Sequence, residues 1–109
     1  MKTAVIFLAI MLFLFSSAVF VQAAENPLFQ AKCAPCHSND GTGNKKLGIL
    51  VGGDLSRLDL TKKTTSQKSD RELKETILNG TGKMPAFKEK ISKAEADELV
   101  KFLRALQKK

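Results

Sequence analysis

Five consecutive residues, Cys33-Ala34-Pro35-Cys36-His37, constrain this chain more than anything else in it. They contain both of its cysteines and its one histidine. The composition around them says why they matter. Of the first 23 residues, Met1 to Ala23, 18 are hydrophobic, so the 43% average over 109 residues overstates how apolar the rest is. Four of the seven Phe (Phe7, Phe13, Phe15, Phe20) lie in that block, and the chain has no Trp or Tyr. Phe29, Phe87 and Phe102 are then the only aromatics left to build a core. A domain this small and this thin in apolar residues needs a disulfide, a metal or a cofactor to hold it. Length excludes a multidomain enzyme or a large β-architecture.

The first block reads as a targeting segment. Lys2 supplies a positive start, Ala4 to Phe15 is unbroken apolar sequence, and Val21-Gln22-Ala23 offers small residues for cleavage. Residues 1–23 are expected to be a signal peptide, cleaved after Ala23 with Ala24 as the second choice, and residues 24–109 one domain. The competing reading is an uncleaved anchor, since Ala4 to Val21 is long enough to span a bilayer. The absence of a basic cluster after it and the small residues favour cleavage. No cysteine follows a lipobox-like stretch, which argues against a lipidated start. The expected destination is a bacterial periplasm.

In an exported chain, C-x-x-C-H is the pattern of covalent c-type haem attachment. Thiols three apart on one tight turn can each add to a vinyl group on the haem edge, and the adjacent His37 meets the iron from the same side. Other readings fit less well. Structural zinc wants about four ligands, more than two Cys and one His supply. A thioredoxin-like pair needs a βαβ context, and no strand alternates with helix here. A plain disulfide is awkward for residues so close and leaves His37 without a role.

Outside the leader, Met84 is the only methionine and His37 the only histidine, so bis-histidine ligation within one chain is impossible. Met84 lies in Asn79-Gly80-Thr81-Gly82-Lys83-Met84-Pro85-Ala86-Phe87, a polar, glycine-rich stretch rather than an apolar helix face. Glycines let the backbone turn beside a flat group, and Pro85 fixes the chain just after the thioether. That setting favours a ligand over core filler. A lysine ligand or an open sixth position stays open.

The remainder predicts helices around the cofactor. Asn26 can cap a short helix with Pro27 at its first position. Ser69-Asp70-Arg71-Glu72 is a capping box ahead of Leu73 and Ile77, and Gly80 ends that helix. Ser92-Lys93-Ala94-Glu95 opens the clearest helix, with Leu99, Phe102, Leu103 and Leu106 along one face. Ser38 to Asn44 is turn-forming. Leu47, Ile49, Leu50 and Val51, interrupted by Gly48, Gly52 and Gly53, are expected to line the haem pocket as loop and short helix. Asp54 to Lys68 reads as a surface segment anchored by Leu55, Leu58 and Leu60, with Arg57 a candidate partner of a haem propionate.

Three stretches carry a resemblance: Phe29 to His37, Gly82 to Phe87, and Asp97 to Phe102-Leu103. Together they resemble a class I monohaem cytochrome c, nearest the small soluble bacterial and photosynthetic members, over essentially the whole of residues 24–109. The resemblance implies an all-α class I cytochrome c fold of three to four short helices wrapped around one covalently bound haem. It also implies iron ligation by His37 and Met84, and first and last helices crossing through Phe29 and Phe102. Two departures stand out. The glycine usual at that crossing is replaced near Glu25 or Asn26, which predicts a shorter or differently packed first helix. The proline whose carbonyl usually orients the proximal histidine is missing, so another carbonyl must accept the ring proton of His37.

A haem with both axial positions filled has no site for substrate, which implies single-electron transfer rather than catalysis. The alternative is a haem peroxidase or small-ligand binder with an open sixth position. The formal net charge is +7, and Lys83, Lys88 and Lys90 flank the Met84 loop while Lys45 and Lys46 follow the haem motif. Around an exposed haem edge they would steer docking to an acidic redox partner; the alternative is a merely solvated basic surface. An exported chain without a basic stripe interleaved with aromatics is not expected to bind nucleic acid. A monomer without stable membrane insertion is expected after signal cleavage.

Overall fold

Asn26 starts the first helix. Its side-chain oxygen accepts the Phe29 amide at 3.0 Å, and Pro27 takes the position where an amide would have no partner. The computed structural model describes residues 25–109; the expected signal peptide, 1–23, and its cleavage point lie outside the described residues. Helix α1 (Pro27–Lys32) runs directly into α2 (Ala34–His37). Two 3₁₀ helices follow, Lys45–Val51 and Leu55–Arg57, then α3 (Lys63–Ser66), α4 (Asp70–Asn79) and α5 (Lys93–Gln107). Among the described residues there is no strand, only an isolated bridge between Thr81 and Met84.

The all-α expectation holds, and local chemistry accounts for the extra short pieces. Asn44 and Asp54 turn their side-chain oxygens onto the amides of Lys46 and Ser56, starting each 3₁₀ helix. Both capping boxes form. Ser69 and Glu72 exchange bonds of 2.7 and 3.1 Å, and Ser92 and Glu95 exchange bonds of 2.9 and 3.0 Å. Gly80 ends α4 as expected. The first helix is short, six residues, in line with its missing glycine.

Phe29 on α1 and Phe102 on α5 meet with ring centroids 4.8 Å apart and planes tilted by 51°. Tilted aromatic contact favours the positive ring edge against the negative face. Around it lies one cluster of Phe29, Phe87, Ile91, Ala96, Leu99 and Leu106, and beside it a second of Leu73, Val100 and Leu103. Ala96 and Val100 widen the stripe of α5 beyond the four residues its spacing picked out, because the helix packs against α4 as well as α1. No polar side chain is buried in this core. Leu58 is buried and Leu60 partly so, but Leu55 is no anchor. It is 37% exposed because its 3₁₀ turn points it across to Gly48 of the neighbouring 3₁₀ helix.

Arg104 holds α5 to the segment before α4. Its Nε donates to Asp70 at 2.9 Å, one terminal nitrogen to the Ser66 carbonyl at 3.0 Å, and the other to the Lys68 carbonyl. Ser66 ends α3, so its carbonyl has no partner within that helix. Gln107 Nε2 adds a bond of 2.9 Å to the Leu60 carbonyl, and Lys74 pairs with Asp97 at 2.8 Å between α4 and α5. Charge-assisted bonds to carbonyls count for more than the Asp70 pair, whose carboxylate is largely exposed. Arg104→Met keeps the aliphatic stem and removes the fork. It is expected to destabilise the domain by about 2 kcal/mol in urea unfolding; a loss no larger than that of Arg71→Met, on an exposed face of α4, would remove Arg104 from this role.

Candidate functional site

The thiol-bearing turn begins where α1 ends. The Cys33 amide donates to the Phe29 carbonyl at 2.8 Å, and the Cys33 carbonyl accepts from Cys36 at 3.1 Å and His37 at 2.9 Å. Cys33 and Cys36, one turn apart, are therefore carried on the backbone that Phe29 docks against α5. Both are free thiols and partly buried. Burial, with Cys36 adjacent, pushes the Cys33 thiol up to about 11, so it stays protonated at neutral pH.

Residues 38–44 fold back over the end of this turn. The amides of Gly43 and Asn44 donate to the carbonyls of His37 (2.8 Å) and Cys36 (2.9 Å), and the Asn44 side chain reaches the Pro35 carbonyl at 3.0 Å. Three C-terminal carbonyls of a four-residue helix are thus satisfied from one loop. Asp40 keeps the loop in shape: its carboxylate accepts the Thr42 hydroxyl at 2.6 Å and the Thr42 amide at 3.0 Å. Those bonds, with one from Ser38, lower the Asp40 carboxyl to about 2.

His37 Nδ1 lies 2.8 Å from the Leu58 carbonyl oxygen. A carbonyl can only accept, so in the neutral ring Nδ1 carries the proton and Nε2 keeps its lone pair. This is the acceptor the missing proline required. It could not be found from sequence, because Leu58 is 21 residues from His37 and nothing in its surroundings marks it.

Met84 is held by a turn of opposite character. The Thr81 amide donates to the Met84 carbonyl at 3.1 Å and the Met84 amide to the Thr81 carbonyl at 2.9 Å. Beyond it, the amides of Phe87 and Lys88 return to the carbonyls of Ile77 (3.2 Å) and Leu78 (3.0 Å) at the end of α4. The Met84 segment is pinned at both ends. Gly80, at φ 72° and ψ 173°, permits this: a Cβ there would stand 2.6 Å from the Met84 carbonyl oxygen and 2.8 Å from the Ala86 nitrogen. That region of backbone space is essentially closed to other residues. Cys33, Ala34 and Met84 all pack against the same core cluster.

A cavity of about 540 Å³ opens beside the Met84 turn. Leu50, Val51, Gly52, Asp54 and Arg57 line it, together with Gly82 and Lys83. On the first 3₁₀ helix, Ile49 is 94% exposed and Leu50, which lines the cavity, 52%. Large aliphatic side chains left uncovered beside a cavity suit a flat apolar ring, and the cationic ends of Arg57 and Lys83 suit its carboxylates. The free thiols, a histidine with its Nε2 lone pair available and a thioether complete a set of groups that fits haem c. Zinc fits poorly, since among the described residues no three His, Cys, Asp or Glu side chains gather for a metal ion. Of the sequence-predicted lysines, Lys83 lines the cavity, whereas Lys45 and Lys46 stand on the first 3₁₀ helix and Lys90 lies over the Phe87 ring at 5.7 Å. All five candidates, Lys88 included, are exposed. Arg57 also pairs loosely with Asp54, at 3.8 Å.

The family model described as "Cytochrome C oxidase, cbb3-type, subunit III" matches residues 22–103. No curated protein matches the chain. Among the described residues no helix is long and apolar enough to cross a membrane.

Gly80→Ala is expected to cost about 3 kcal/mol or more, because it combines a forbidden backbone conformation with contact against main-chain atoms that cannot step aside. Urea unfolding checks it, with Gly82→Ala as comparison: Gly82 also has positive φ, yet an added Cβ would meet nothing within 4 Å. Equal costs for the two would refute the crowding argument at Gly80.

Proposed function

The chain belongs to the family of subunit III of cbb3-type cytochrome c oxidase, and on that premise we propose that it is an exported single-electron carrier whose haem is held by Cys33, Cys36, His37 and Met84. The family's cytochrome c domain carries covalently bound haem c with its iron and serves haem-based electron transfer. The observation that carries the finer reading is that two unlike turns, Cys33 to His37 and Thr81 to Met84, pack on one core, the second of them beside the cavity.

Haem c supplies a one-electron iron couple in a hydrocarbon setting. Each residue then has a definite task. The thiols of Cys33 and Cys36 would hold the group covalently, each through one thioether link to its edge. His37 would offer Nε2 to the iron, with the Leu58 carbonyl holding the ring's tautomer. Met84 would offer its thioether, a donor that favours ferrous iron and would raise the potential relative to two histidines. Ile49, Leu50 and Val51 exclude water from the apolar edge. Arg57 and Lys83, both lining the cavity, would answer the propionates.

Ligands that stay in place through both oxidation states leave little to reorganise, and they leave no site for substrate. That distinguishes a carrier from a peroxidase or small-ligand binder. Ferric protein is expected to show the weak sulfur-to-iron charge-transfer band at the red end of the visible spectrum, and Met84→Ala to abolish it. Wild-type protein lacking the band and taking up carbon monoxide readily would favour the open-site alternative. A pyridine haemochrome assay establishes first that the haem is covalent.

Residues 1–23 act in this reading as a cleaved signal that delivers residues 24–109, as a monomer, to the periplasm. The partner is a redox protein with an acidic docking surface, addressed by Lys83 and by the exposed Lys45, Lys46, Lys88 and Lys90. Electron-transfer rates with such a partner are expected to fall as ionic strength rises from about 0.01 to 0.15 M, over which the screening length shortens from about 30 to 8 Å. Rates that are flat or increase with salt would reject the charge-steered docking.

A further inference from the structure

We infer that Gly43 is a positioning residue for His37: having no side chain, it lets the Leu58 carbonyl close on the imidazole. The inference rests on His37 being an iron ligand, as proposed above. Gly43 occupies the third corner of a small triangle. Its amide donates to the His37 carbonyl at 2.8 Å, which fixes Gly43 against the thiol-bearing turn. Its other side faces Leu58, whose carbonyl oxygen accepts from His37 Nδ1 at 2.8 Å.

A Cβ built on Gly43 would stand 2.9 Å from Leu58 Cβ, 3.2 Å from its carbonyl carbon and 3.3 Å from its oxygen. The atoms met are the backbone and first side-chain carbon, which cannot rotate out of the way. Leu58 is buried, its amide donates to the Leu55 carbonyl at 3.0 Å, and the Leu60 amide donates to the Gly41 carbonyl at 2.7 Å. The strip 58–60 is therefore clasped to the loop 38–44, and any side chain at position 43 wedges the clasp open at the carbonyl His37 uses.

The consequence is electronic as well as structural. A carbonyl that accepts the Nδ1 proton makes the other ring nitrogen a better donor, and hydrogen bonding to the ligand is one of the levers on a haem potential. Lengthening that bond weakens donation to ferric iron, so the midpoint should rise. Gly53 separates this effect from backbone strain. It also has positive φ, 83°, but a Cβ there would meet nothing within 4 Å.

The test uses the haem-loaded protein, with the midpoint potential and the hyperfine-shifted proton resonances of the ligand imidazole as readouts. Gly43→Ala is expected to raise the midpoint and move the imidazole resonances, while Gly53→Ala lowers stability and leaves both unchanged. Should Gly43→Ala fail to fold, Gly43→Ala/Leu58→Gly removes the closest contact, and its midpoint should still exceed that of Leu58→Gly alone. Unchanged potentials and resonances, or equal shifts in the Gly43 and Gly53 variants, would overturn the role of Gly43. Absence of imidazole resonances from His37 in the wild-type protein would instead overturn ligation by His37.

Discussion

The contact between Phe29 and Phe102 supports everything else in this domain. With one aromatic on the first helix and one on the last, their tilted packing is what brings the two ends of the chain together. The thiol-bearing turn starts four residues after Phe29 and shares its hydrogen bonding, so docking α1 on α5 also sets where Cys33, Cys36 and His37 stand. Ile91, Ala96, Leu99 and Leu106 extend the same cluster. A core this small cannot spare a layer. The chain compensates by tying its ends with polar contacts, chiefly Arg104 and Gln107 reaching across to main-chain carbonyls before α4 and near Leu60.

The two halves of the candidate site are held by different means. Around His37 the loop 38–44 satisfies carbonyls and the strip at Leu58 fixes the ring, so rigidity comes from hydrogen bonds between loops. Around Met84 it comes from a tight turn pinned to α4, with Gly80 allowing main-chain atoms to approach where no side chain fits. Both arrangements orient a donor atom without burying a charge, and among the described residues no polar side chain is buried. That suits a centre that changes charge by one electron, because the surroundings need not rearrange when it does.

Much of this was legible in the residues themselves. Asn26, Ser69 and Ser92 with their partners marked helix starts through short-range hydrogen bonds, and Gly80 marked an end through its backbone freedom. The spacing of Cys33, Cys36 and His37 pointed to haem c for reasons of local geometry. Leu55 read as an anchor and is exposed: its side chain lies against Gly48 on the neighbouring 3₁₀ helix, a placement invisible in composition. Arg104 carries no such local mark. Its partners outside α5 lie more than thirty residues away, and no local pattern announces them.

The sequence alone therefore determined the helices, their caps, the thiol pair and the two candidate ligands, because each depends on residues within about one turn of one another. Only the tertiary structure decided which carbonyl faces His37, what Arg104 grips and which apolar side chains stand uncovered beside the cavity. Those outcomes depend on where distant segments meet, and segments as alike as Leu55, Leu58 and Leu60 are distinguished only once the chain has closed on itself.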